Sequence, residues 1–134
     1  MTLDLKKSVT RVRSPETAIG TKQKISYYVG ISKDSAGAQG LSMNLVAIPP
    51  GGTAEAHYHK DFETAIYLLE GKVETRYGEN LKESIVTEKG DFLYIPPGVP
   101  HQPVNLSDSD PAYAIVSRND PNEMENVVMY KPEE

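Results

Sequence analysis

Three histidines and one glutamate hold most of the chemistry this sequence can do. His57 and His59 stand two residues apart in a segment of extended character. Side chains with that spacing leave the same face of a strand. Glu63 follows after Lys60-Asp61, which reads as a turn, and His101 arrives from a distant strand just past a Pro-Pro-Gly corner. Neutral imidazoles with one carboxylate form a mixed nitrogen and oxygen donor set. Such a set suits one divalent transition metal (Mn, Fe, Co, Ni, Cu or Zn) and suits Ca or Mg poorly. Four protein ligands leave open positions for water or substrate on an ion of larger coordination number. With no cysteine in the chain, thiolate ligands, disulfides and cysteine nucleophiles are excluded. The run Ser107-Asp110 lacks the glycine and distal glutamate of a calcium loop and reads as plain loop. Tyr67, Arg76 and Tyr94 lie on expected strands and are candidates for touching a substrate, although alternation alone does not decide which face is inside.

The elements that must position these residues are short. β-branched or aromatic runs recur along the chain, bounded by Gly, Pro, Asn or Asp: residues 25–32, 41–48, 64–69, 72–77, 84–87, 92–95, 112–117 and 126–130. No segment keeps a 3.6-residue apolar period over three turns. The 10 glycines and 10 prolines are spread along the chain, which indicates frequent turns and not disorder. Ile48-Pro49-Pro50-Gly51 and Ile95-Pro96-Pro97-Gly98 make the same corner twice, each followed closely by histidine. Proline presets φ for the second position of a type II turn and glycine supplies the positive φ that comes next. The pattern describes an all-β sandwich or barrel of the jelly-roll kind.

Around the ligands the residues carry a resemblance. Gly51, five residues, His57-x-His59, three residues and Glu63 resemble the first motif of the cupin superfamily. Gly90, five residues, Pro96-x-Gly98, two residues, His101, three residues and Asn105 match the second motif at every position. The resemblance covers residues from about 40 to 118. It implies a double-stranded β-helix with a mononuclear metal on His57, His59, Glu63 and His101. One spacing departs from the family pattern, which places six residues between the glutamate and the next glycine. Here seven separate Glu63 from Gly71, and the residue with six between it and Gly71 is Thr64. Either a bulge in this strand keeps Glu63 on the metal, or the register turns Glu63 away and leaves three histidines. The bulge is the expectation. Asn105 is expected to bond backbone, not metal.

At 134 residues the chain suits one domain. The expected division is an N-terminal arm over 1–21, a cupin domain over 22–130 and a tail over 131–134. Net charge of −5 argues against nucleic acid or an anionic membrane as partner. The cations Lys6, Lys7, Arg11 and Arg13 read as a solvated arm. No apolar run approaches a membrane span, the start lacks a signal-peptide core, and a cytoplasmic location is expected. Sheet edges need cover, so a homodimer is expected, with the arm reaching a neighbouring edge. The functional expectation is a metal-dependent enzyme on a small polar metabolite, of dioxygenase, isomerase, decarboxylase or lyase type. The alternative is a non-catalytic cupin that binds or senses a small molecule. A metal-independent epimerase ranks lowest, because the metal motif claims all three histidines.

Overall fold

The computed structural model describes residues 8–20, 25–122 and 126–133. In chain order the elements are β1 (Ile19–Gly20), β2 (Ser26–Ile31), helix α1 (Lys33–Ala36), β3 (Ser42–Ile48), β4 (His57–Tyr58) and β5 (Thr64–Glu70). They continue with β6 (Lys72–Tyr77), a 3-10 turn (Glu79–Leu81), β7 (Glu83–Glu88), β8 (Phe92–Ile95), β9 (His101–Asn105), β10 (Ala112–Arg118) and β11 (Val128–Met129). Two sheets form, ordered β1-β2-β3-β10-β5-β8 and β11-β4-β9-β6-β7. Every pairing among the described strands is antiparallel. This is the all-β jelly roll that the strand spacing anticipates.

Alternation along the central strands decides what fills the interior. In β3, Ser42, Asn44, Val46 and Ile48 turn inward; in β10, Ala112, Ala114, Val116 and Arg118 do so. The pairing of Arg118 with Ser42 on one side and Thr64 on the other aligns three buried polar residues in one row. The opposite end holds Ile48 and Ala112, also paired. Val46, Leu68, Val73, Ala114 and Val116 fill the middle. The interior is therefore apolar at one end and polar at the other.

The two proline corners act as joints. Gly52 N–H donates to Pro49 C=O at 2.8 Å, closing a turn in which Gly51 has φ +62°. Buried Asn105, at the end of β9, donates its amide to the carbonyls of Ile48, Pro49 and Asp110, and its side-chain oxygen accepts from Ser107 N–H. As expected, Asn105 is a backbone latch. Removing the amide would orphan carbonyls of the first corner, a loss of about 1–3 kcal/mol for each buried group left unsatisfied. At the second corner Gly98 N–H donates to His59 C=O at 2.8 Å, tying that turn to a candidate ligand. The Ser107-Asp110 run is a local turn, with Ser107 Oγ accepting from the backbone N–H of Ser109 and Asp110.

Helix α1 is a single turn closed by a Ser32/Ser35 capping box, too short for a periodicity test to detect. Within the segment expected to be an arm, Ile19 and Gly20 pair with Tyr27 and Ser26 of the same chain. Lys6 and Lys7 lie outside the described residues. At the other end, β11 pairs with β4, and Tyr130 O–H accepts from Asn80 N–H.

Candidate metal centre

β4 and β9 lie side by side with His57 directly opposite His101. His59 follows β4 on the same face, so three imidazoles converge from two adjacent strands. Ring centroids of His57 lie 4.4 Å from His101 and 5.3 Å from His59, and all three rings are buried. One nitrogen from each falls within 4.8 Å of the others. A first-row ion sits about 2.0–2.1 Å from an imidazole nitrogen, so a small inward shift of the rings would enclose one.

The local backbone also sets the tautomers. His57 Nδ1 lies 2.8 Å from Glu55 C=O, and His101 Nδ1 lies 2.9 Å from Val99 C=O. A carbonyl only accepts, so both Nδ1 atoms carry the proton and both Nε2 atoms present a lone pair. Metal-binding histidines are oriented by bonds of this kind. Desolvation by burial pushes His57 down to about 4 and His101 down to about 3, with the Arg118 charge adding to the effect in each. Neutral rings with oriented lone pairs are the donor state a divalent transition metal requires. The three residues fit such an ion.

Glu63 is not brought to this cluster. Its side chain is exposed and accepts a hydrogen bond from Tyr94 O–H at 2.9 Å, while its backbone N–H donates to Asn119 Oδ1. The reason is a register shift in β5. Ala114 pairs with Leu68 but Tyr113 pairs with Glu70, leaving Leu69 as an extra residue. The anticipated bulge is therefore present with the opposite consequence. Counting inward-facing positions back from Gly71 gives Leu68, Ile66 and Thr64, and Thr64 is the buried residue. Gly71 itself is required where it stands: a Cβ there would lie 2.8 Å from Ala112 Cβ, at φ +101°.

Tyr67 and Arg76 turn away from the cluster, whereas Tyr94 borders a hollow that His101 also lines. Tyr67 shares the outer face of β5 with Glu63 and packs on Phe92, with ring centroids 4.7 Å apart. Arg76 is exposed and lies 3.3 Å from Glu74 on its own strand. Tyr94 is exposed, and its hydrogen bond to Glu63 raises its pKa.

Arg118 was not singled out by its sequence context. It is buried, donates Nε–H to Thr64 Oγ1 at 2.8 Å, and lines a cavity of about 60 Å³ together with His57, His101 and Thr64. The signal was present in the parity of Ala112, Ala114, Val116 and Arg118, which puts a cation on the inward face. A second hollow of about 240 Å³ lies between β7 and β8, lined by Tyr77, Ile85, Tyr94 and Pro96 among others, and meets the first at Thr75, Leu93 and His101.

Comparison with known proteins agrees with this architecture. Residues 44–117 match the family model of the cupin domain. No curated protein matches. Among solved structures the chain is similar to a Lactobacillus farciminis oxalate decarboxylase in complex with formate, at 22% identity and TM-score 0.69, over 93% of this chain and 39% of that one. It is similar to a recombinant oxalate oxidase in complex with glycolate, at 24% identity and TM-score 0.66, over 96% of this chain and 65% of that one. A third is the cupin domain of Schizosaccharomyces pombe Cnp3, at 15% identity and TM-score 0.61, covering 81% and 72% of the two chains. This chain spans about two-fifths of the length of the decarboxylase, and at these identities the likeness is one of fold. With the family model matched across more than half of its residues, the chain belongs to the cupin superfamily.

Proposed function

We propose that the protein is a metal-dependent enzyme that binds one divalent transition metal on His57, His59 and His101 and acts on a small polar metabolite. The observation that carries this reading is the convergence of three buried imidazoles, two of them with Nδ1–H held by backbone carbonyls. Three protein ligands leave several positions open to substrate oxygens. A metal there would act as a Lewis acid on a carbonyl or carboxylate, and with iron or copper it would also admit dioxygen. The chain's own residues would hold the ion, surround the substrate with the apolar walls of Ile66, Leu93 and Val116, and keep bulk water out. The similar structures include enzymes named for oxalate, which supports a small oxygen-rich substrate.

Metal analysis of the native protein tests this reading. The expected result is about one transition metal per chain, with a large loss in His101→Ala while the barrel still folds. Full metal occupancy in that variant would overturn the assignment. Oxygen uptake and carbon dioxide release, screened with the native metal over small acids and sugars, would separate turnover from simple binding.

A further inference from the structure

We infer that the hollow between β7 and β8 receives an uncharged aromatic group of the substrate, while an oxygen function of the same molecule reaches a metal on the histidines. The inference rests on the three-histidine reading above and adds the second part of the substrate and the residues that hold it. Size is the first ground. The interior cavity beside His57 and His101 is about 60 Å³, room for a few water molecules at roughly 10–15 Å³ each. Pockets for small ligands begin at about 300 Å³, so the interior takes only the head of a metabolite. The hollow, at about 240 Å³, shares Thr75, Leu93 and His101 with it as walls and brings the space to that threshold. An apolar cavity of about 150 Å³ already takes benzene, so the hollow has room for a phenyl ring.

Strand register sets the hollow beside the histidines. His57, His101 and Tyr77 form one row across β4, β9 and β6. Two residues further along, Pro103, Thr75 and Ile85 form the next row, which ends on β7. Cross-strand partners share a face, so Tyr77 and Ile85 carry the inner wall from His101 out to the edge of their sheet. Leu93 and Ile95, at alternate positions of β8, supply the opposite wall. β7 and β8 each end a sheet and are not paired with one another, so the hollow lies along an open side of the sandwich.

The chemistry of these walls selects the ligand. Among the described residues lining the hollow there is no aspartate, glutamate, lysine or arginine. A charged group placed there would lose hydration without meeting an opposite charge. An aromatic ring would exchange water for aliphatic side chains and for the rings of Tyr77 and His101. The substrate class is therefore a small molecule with an oxygen-bearing head and an aromatic body.

Glycolate and mandelate test this directly, because they share a 2-hydroxy acid head that can chelate a metal and differ by one phenyl group. Each is titrated into cobalt(II)-loaded protein and followed by visible absorption. Mandelate should bind about tenfold or more tightly than glycolate, from the apolar surface its ring removes from water. Ile85→Trp fills the hollow and should reduce that preference to less than about twofold, with cobalt binding as the check that the centre is intact. Methyl NMR of the zinc-loaded wild type locates the ring without any variant. Mandelate, and not glycolate, should shift the methyl signals of Ile85, Leu93, Ile95 and Val99.

Equal affinity of the wild type for the two acids would overturn the inference, and that comparison stands even if Ile85→Trp fails to fold. So would an undiminished preference in folded Ile85→Trp, or methyl shifts confined to Val46 and Val116, which line the interior cavity. Failure of the wild type to bind cobalt or zinc would instead overturn the three-histidine centre on which it rests.

Discussion

His57 and His101 each point Nδ1–H at a carbonyl two residues earlier, and those bonds fix which nitrogen faces the pocket. Spacing in the sequence was enough to pick out these histidines, because two side chains at i and i+2 on a strand share a face. It could not report the tautomers or the depth of burial, which depend on partners far along the chain. Burial has a consequence for acid stability. Burial holds the two rings at about 4 and about 3 in the folded chain, below the ordinary imidazole value of 6.5. As pH falls below 6.5 the unfolded chain takes up protons that the folded chain refuses. The stability present above that pH is therefore lost on the way down to the folded pKa values. In metal-free protein, urea midpoints should fall between pH 7 and 5, with His57 and His101 together contributing a slope that approaches about two protons. His101→Gln should remove about half of that contribution. An unchanged pH dependence in His101→Gln would contradict the assignment of this burial to the ring.

Single strands carry the next level of control, and β5 shows where sequence reading stops. The runs at 25–32, 41–48, 72–77 and 112–117 each overlap an observed strand, because β-branched alternation is a local property. A two-residue pairing such as β1 has no comparable local signature. Nor does a bulge: one extra residue at Leu69 decides whether Glu63 or Thr64 faces inward, and the seven-residue spacing fits either outcome. Tertiary packing resolves it, through the seven-residue ladder between β10 and β3 that holds Arg118 beside Thr64. Exchanging charge at the two positions tests the register. Glu63→Gln should leave metal affinity within about twofold of wild type, since that carboxylate bonds Tyr94 on the outer surface. Thr64→Glu should raise metal affinity by about tenfold or more, because it places a carboxylate among the histidines and beside Arg118. Isothermal titration of both variants with cobalt would read the two effects. A large loss of affinity in Glu63→Gln would mean that Glu63 reaches the metal in solution.

Across the whole molecule, the two sheets have two edges that the terminal segments cover and two that no described strand covers. β1 borders β2, and β11 borders β4, so the terminal segments cap one side of the barrel. On the other side β7 and β8 end their sheets, with the hollow that meets His101 between them. These strands expose apolar residues: Phe92 is 81% exposed, Tyr94 58%, Ile85 and Val86 45% each. Edge strands with apolar side chains are the surfaces that soluble proteins usually pair or cover. A second copy of this chain, seated along β7 and β8, would bury the four side chains and narrow the approach to the pocket. It would place the partner next to the mouth of the site, whereas an exchange of N-terminal arms would use the far side of the barrel. Sedimentation at micromolar concentration is expected to give a dimer. Phe92→Asp puts a charge in the middle of the patch without touching the interior, so it should shift the equilibrium to the monomer and leave metal content unchanged. Removal of residues 1–18 should leave the dimer intact, because Ile19 and Gly20 still border β2. A wild-type protein that sediments only at 14.8 kDa would refute the dimer. A dimer that survives Phe92→Asp but dissociates on removal of the arm would place the contact at the opposite edge.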